Sequence, residues 1–101
     1  MAYEVFLTPS AQRSLKKLPQ PIANQLVTQM HWLKTNPLLG QSLEGKQSFL
    51  RSLHTVITGT HYRVAYEVHE KTQEIAVYYL GSRENFYRRL SKLRLKPGQV
   101  F

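Results

Sequence analysis

Apolar and polar residues alternate over residues 3–7, where Tyr3, Val5 and Leu7 share one face, the pattern of a short strand. The period then changes. Thr8-Pro9 reads as a helix start, a Thr cap with Pro at the first helical position. Ala11, Leu15 and Leu18 keep helical spacing, while Arg13, Lys16 and Lys17 lie mostly off that stripe. Pro19 and Pro21 end this helix and open a second, whose stripe is Ile22, Leu26, Met30 and Leu33 and which stops before Asn36-Pro37. The tight Pro-Gln-Pro joint predicts a helical hairpin. Residues 38–48 have no period, contain Gly40 and Gly45, and read as a loop. Strand-like runs follow at 49–57, 62–68 and 74–80, separated by Thr58-Gly59-Thr60 and Glu70-Lys71-Thr72-Gln73, which predicts an antiparallel meander. Ser82 can cap a last helix with Phe86, Leu90 and Leu93 at i, i+4 and i+7.

The resulting class is α+β, in the order β-α-α-β-β-β-α, with the helical hairpin on one face of a small twisted antiparallel sheet. The opposite face is then only partly covered, and a site is to be sought there. A chain of 101 residues fits one domain. Residues 1–93 are assigned to it and residues 94–101 to a basic tail, Arg94-Leu95-Lys96-Pro97-Gly98 onward, expected to fray.

Charge narrows the partners. Fourteen Lys and Arg against six Asp and Glu leave a formal charge of +8, more than solubility needs. Such a surface favours a polyanion, with nucleic acid ahead of an anionic membrane or an acidic protein segment. The absence of cysteine removes disulfides, thiolate ligands and cysteine nucleophiles together. No basic-then-apolar leader opens the chain and no apolar run nears ~20 residues, so the expectation is a cytoplasmic protein with no membrane span.

In Tyr62-Arg63-Val64-Ala65-Tyr66-Glu67-Val68 the alternation puts Tyr62, Val64, Tyr66 and Val68 against the helices, with Arg63, Ala65 and Glu67 facing away. An arginine in mid-sheet is costly to bury unpaired, so Arg63 must meet solvent, a carboxylate such as Glu67, or a ligand. Gly81-Ser82-Arg83 marks a strand-to-helix junction, where free backbone N–H groups and a guanidinium can hold an anion, or where Arg83 makes a local ion pair. Tyr87 follows at i+4 and can share a helix face with Arg83, or serve as an ordinary core or rim aromatic. Arg51 and His54 differ in strand parity and should face opposite sides unless a bulge intervenes. His54 and His61 are candidate proton carriers, since imidazole titrates near neutrality, although an ordinary exposed histidine explains either. His31 and His69 fit no spacing with acidic partners, and no metal site is expected.

Taken together, Tyr62-Arg63-Val64-Ala65-Tyr66, Gly81-Ser82-Arg83 and Tyr87, with the Leu43-Glu44-Gly45 loop before the second strand, resemble the RelE/ParE superfamily of toxins from tyrosine 3 to about leucine 93. The RelE branch is a group of metal-independent endoribonucleases that cut messenger RNA in the ribosomal A site and are neutralised by a cognate antitoxin. The resemblance implies phosphate-stabilising roles for Arg63 and Arg83 and a place near the attacking 2′-hydroxyl for Tyr87. It sets Arg51 near a strand lysine of RelE, from which this chain departs with Arg51-Ser52-Leu53-His54 in place of alternating lysines.

Such a reaction needs in-line orientation, charge stabilisation and two proton transfers. Phenols ordinarily ionise near pH 10, so Tyr87 as a base requires the field of Arg63, Arg83 and Arg88; otherwise His54 substitutes and Tyr87 stacks on a base. Arg13, Lys16, Lys17, Lys46, His61, Arg88, Arg89 and Lys92 are expected to bind the RNA backbone. No cofactor is expected. Two rivals share the same residues: a ParE-like toxin that binds DNA gyrase without cleaving RNA, and a non-catalytic RNA-binding protein.

Overall fold

The computed structural model describes residues 2–97, in the order β1 (Glu4–Leu7), α1 (Pro9–Lys16), α2 (Gln20–Trp32), β2 (Gln41–Ser42), a 3₁₀ turn at Gly45–Gln47, β3 (Arg51–Ile57), β4 (Thr60–His69), β5 (Glu74–Ser82) and α3 (Arg83–Lys92). The expected α+β order is present, with two refinements. The strands lie in the order β1-β5-β4-β3-β2, and β1 runs parallel to β5, so the sheet is mixed rather than wholly antiparallel. The helical hairpin carries the chain from β1 to the far side of the sheet, and the meander brings it back beside β1 in the same direction. β2 is a two-residue pairing with Ser52 and Arg51, too short to show a period in the sequence. Residues 98–101 of the assigned basic tail lie outside the described residues, and Leu95 within it packs against the α3-side cluster.

Thr8 anchors the start of α1. Its hydroxyl accepts from the Ala11 N–H and donates to the Val77 carbonyl, which ties the helix to β5 as Pro9 opens it. The hairpin then buries Ala11, Leu26, Met30 and Leu33 against Leu53, Ile57, Val64, Tyr66, Ile75, Val77 and Leu80 of the sheet. The other sheet face carries a second core, Ala65, Ala76, Tyr78, Phe86 and Leu90, which exists because α3 folds back across it. That face is therefore covered at the β5 end and open towards β3.

A bulge in β5 sets up the open part. Tyr66 pairs with Val77 and Ala65 with Tyr79, so Tyr78 is an extra residue and the parity of β5 shifts after it. Tyr78 and Tyr79 thus both lie on the α3 side, Leu80 turns to the hairpin, and Gly81 comes opposite Arg63. Gly81 has no room for a side chain: a Cβ there would run into the phenol of Tyr79, whose Cζ would lie only 2.7 Å away.

Tyr66 closes the core at the other end. Its hydroxyl accepts from the Gly40 N–H and donates to the Pro37 carbonyl, both at 2.8 Å, and so pins the loop after α2. Tyr66→Phe should therefore destabilise the protein by about 1–3 kcal/mol, the cost of leaving buried polar groups unpaired. Urea unfolding measures this, and a change under about 0.5 kcal/mol would mean the loop is held elsewhere.

Candidate active site

The register places the candidates face by face. His54 pairs with Arg63, and Ser52 with Ala65, on the α3 side of the sheet. Arg51 pairs with Tyr66 on the hairpin side, as parity predicts without a bulge in β3. There its Nε donates to the Gly40 carbonyl at 2.8 Å and its Nη2 to that of Leu38 at 3.4 Å. This corrects the grouping of Arg51 with the catalytic candidates: it braces the loop from behind and faces away from Arg63.

Arg63 is half-buried. Its Nη1 donates to Ser52 Oγ at 3.0 Å, its guanidinium carbon lies 5.7 Å from the Phe86 ring centroid, and its buried Nε makes no hydrogen bond within the protein. The local alternative for Arg63 gains nothing from this arrangement. Glu67, on the same strand face, is buried and accepts hydrogen bonds from Tyr78 at 3.1 Å and contacts His69 Nε2 at 3.0 Å. The His69 contact overturns the expectation that this histidine has no acidic partner: residues two apart on a strand share a face. Burial, then Glu67, pushes the Tyr78 phenol well above its usual value.

Arg63 and Ser52 form the floor shared by two open clefts. One, of about 520 Å³, is lined by Gln41, Ser42, Glu44 and Tyr87 among others. The second, of about 480 Å³, runs towards α2 past His54, Gln29 and Trp32. Tyr87 is 52 % exposed and rests edge-on against Phe86, with ring centroids 5.0 Å apart. Arg83 is exposed at the start of α3, where Ser82 occupies the cap position without a side-chain hydrogen bond. Loss of hydration lowers the His54 imidazole below its usual value, and the charges of Arg63, His61 and Arg83 push the same way. Arg63, Tyr87 and His54 thus border a common floor, with Arg83 within electrostatic reach.

The basic residues divide. Arg13, Lys17, Arg89 and Lys92 line a groove between α1 and α3 with Tyr79 at its base. Here Arg89 and Arg88 oppose the upward push of burial on the Tyr79 phenol. Lys16, Lys46 and Arg88 are exposed outside that groove, and Arg88 donates to Asn85 Oδ1 at 2.8 Å. His61 does not stand alone on the surface; its Nδ1 meets His54 Nε2 at 2.8 Å. Sequence reasoning missed Ser52 and Phe86, the anchor and platform of Arg63. A cross-strand hydroxyl and a ring on a packed helix become visible only with the strand register and helix placement. Among the described residues, no three His, Cys, Asp or Glu side chains come together as a metal-ligand set, and no helix is long and apolar enough to cross a membrane.

Known proteins share this arrangement of elements. The toxin–antitoxin complex RelBE2 from Mycobacterium tuberculosis contains a chain 27% identical to this one, superposing with a TM-score of 0.69 over 82% of this chain and 100% of that one. A mutant Escherichia coli RelE toxin in the free state is 21% identical, with a TM-score of 0.74 over 94% of this chain and 100% of that one. The E. coli RelE mutant bound to a peptide of the antitoxin RelB is 18% identical, with a TM-score of 0.69 and full coverage of both chains. No curated protein sequence matches. The family model for the ParE-like toxin of type II bacterial toxin-antitoxin system matches residues 5–91, a span that runs from β1 into α3 and takes in Arg63, Arg83 and Tyr87. With the RelE-like sheet, hairpin and returning helix in place over that same span, the chain belongs to the ParE-like toxins of type II bacterial toxin–antitoxin systems.

Proposed function

We infer that this toxin is a metal-independent endoribonuclease that cleaves messenger RNA on the ribosome and so stops translation in the cytoplasm. One observation carries the reading: Arg63, fixed by Ser52 and Phe86, lines the floor of an open cleft bordered by Tyr87. A fixed guanidinium with spare donors suits a phosphodiester. In the reaction the RNA's 2′-hydroxyl attacks the adjacent phosphorus, and Arg63 and Arg83 absorb the charge that grows on the phosphoryl oxygens. Tyr87, exposed and braced by Phe86, orients the nucleotide by stacking or by a hydrogen bond from its phenol. His54 takes the proton. The products are a 2′,3′-cyclic phosphate and a 5′-hydroxyl.

The groove of Arg13, Lys17, Arg89 and Lys92, with Lys16, Lys46 and Arg88, holds the RNA backbone through salt-sensitive contacts. The natural partner is a cognate antitoxin with an acidic or amphipathic segment, a reading supported by the RelB-bound relatives and by the +8 charge. The ParE-like description of the matched family favours a second reading, a gyrase-binding toxin without nuclease activity.

Two assays on the purified toxin separate them. The expected result is arrest of a cell-free translation reaction with new RNA 5′-hydroxyl ends and no gyrase trapped on supercoiled plasmid. Intact message with trapped gyrase would replace this reading by the second. Intact RNA, no trapped gyrase and undiminished RNA affinity in a Tyr87→Ala variant would leave a non-catalytic RNA-binding protein.

A further inference from the structure

His54 and His61 form a hydrogen bond across adjacent strands, at the rim of the cleft that His54 lines. They sit on adjacent strands of the α3-side face, with His54 opposite Arg63 and His61 two residues before it on β4. The Nε2 of His54 and the Nδ1 of His61 are 2.8 Å apart, the ring planes differ by 12°, and the centroids are 5.0 Å apart. With centroids that far apart, parallel rings reach so short an N···N distance only when they meet edge to edge and nearly coplanar. That is the alignment of a good N–H···N hydrogen bond. One proton occupies it, so each ring has one nitrogen spoken for and one free: Nδ1 on His54 and Nε2 on His61.

Resting on the nuclease reading of this cleft, we propose that His54 and His61 act as a two-imidazole proton relay, with His54 as the base that meets the RNA and His61 as the positioning residue that carries its proton onward. The 2′-oxygen bonds to phosphorus as its proton passes to Nδ1 of His54. The Nε2 proton of His54 crosses to Nδ1 of His61, and the Nε2 proton of His61 leaves to water, which returns a proton to the 5′-oxygen as its bond to phosphorus breaks. Each ring gains one proton and loses one, and the pair ends neutral in the opposite tautomer.

The surroundings give a reason for two rings instead of one. Arg63 from β4 and Arg83 from the start of α3 bear on His54, as does His61, and the side chains that α2 adds to this cleft, Gln29 and Trp32, carry no charge. An imidazolium formed there would face two guanidinium groups, whose repulsion adds to the loss of hydration that holds His54 below its usual value. Passing the proton on at once avoids building that charge. His54 lines the cleft and His61 does not, which sets the direction of transfer.

The test uses full-length toxin and a defined messenger RNA on programmed ribosomes, with pH–rate profiles for wild type, His54→Ala, His61→Asn and His61→Ala. The Asn amide reaches the position of Nδ1, so His61→Asn keeps the hydrogen bond but cannot carry a proton. His54→Ala should lower kcat by about 10²–10⁴-fold, the usual weight of a general base. His61→Asn should lower kcat about tenfold or more with KM nearly unchanged. His61→Ala should move the acidic limb of the profile to higher pH, because a repelling neighbour of His54 is gone. Full kcat in His61→Asn, or an unmoved acidic limb in His61→Ala, overturns the relay while leaving the nuclease standing. A wild type that cuts no RNA overturns both.

Discussion

Replacing Arg83 by Ala is expected to slow RNA cleavage by about 10²–10³-fold, the loss that follows removal of one preorganised donor to a developing oxyanion. The position makes this a clean measurement. Arg83 is exposed at the first turn of α3, outside both buried clusters, so its truncation removes charge from the cleft without opening a cavity. The melting temperature should stay within about 2 °C of wild type, as for surface changes generally. Arg83→Lys should recover only part of the rate, since an ammonium cannot offer two parallel N–H donors to one phosphate. The acidic limb of the pH profile should also rise in Arg83→Ala, because Arg83 helps hold His54 below its usual value. Single-turnover cleavage of a defined RNA reads both effects. A rate within threefold of wild type would remove Arg83 from the site.

The division between what the chain announced and what it hid follows from the physics of each element. The hairpin was legible because Thr8-Pro9 and Pro19-Gln20-Pro21 punctuate two helical stripes, and both stripes pack on the sheet, Ala11, Leu26, Met30 and Leu33 buried and Leu15, Leu18 and Ile22 partly so. The face of Arg63 was legible because β4 alternates strictly between Tyr62 and Val68. The parallel placement of β1 was not, since it depends on the path of the whole chain and not on any residue of the strand. Nor was the bulge at Tyr78: one extra residue in an otherwise apolar run leaves no mark in composition, yet it decides that Gly81 comes opposite Arg63. The site was half legible for the same reason. Its charged groups are rare enough to stand out, whereas Ser52 matters only through a cross-strand register. The bond between His54 and His61 is of that second kind. It joins residues seven apart across a tight turn whose Thr58 and Gly59 take positive φ, and no spacing rule marks it.

Phe86→Ala is expected to cost about 3–5 kcal/mol, a fifth or more of the stability of an ordinary small domain. The ring is fully buried between Ala65, Ala76 and Tyr78 of the sheet and Leu90 of its own helix, and Tyr79 packs on it at 5.9 Å between centroids. Without it α3 keeps only Leu90 as a fully buried anchor, so the helix should loosen and take Arg83 and Tyr87 with it. Phe86→Leu separates packing from placement. It fills most of the volume and should cost less than half as much, but it removes the aromatic face over which Arg63 lies. Urea unfolding of both variants gives the stability order, and cleavage by the folded Leu variant reports on Arg63 alone. A stable Leu variant that cleaves several-fold more slowly than wild type would assign Phe86 two tasks, holding α3 to the sheet and holding a guanidinium to the helix. If Phe86→Ala costs under about 1.5 kcal/mol, α3 is held by something other than this ring, and the cleft beneath it has a different support from the one described.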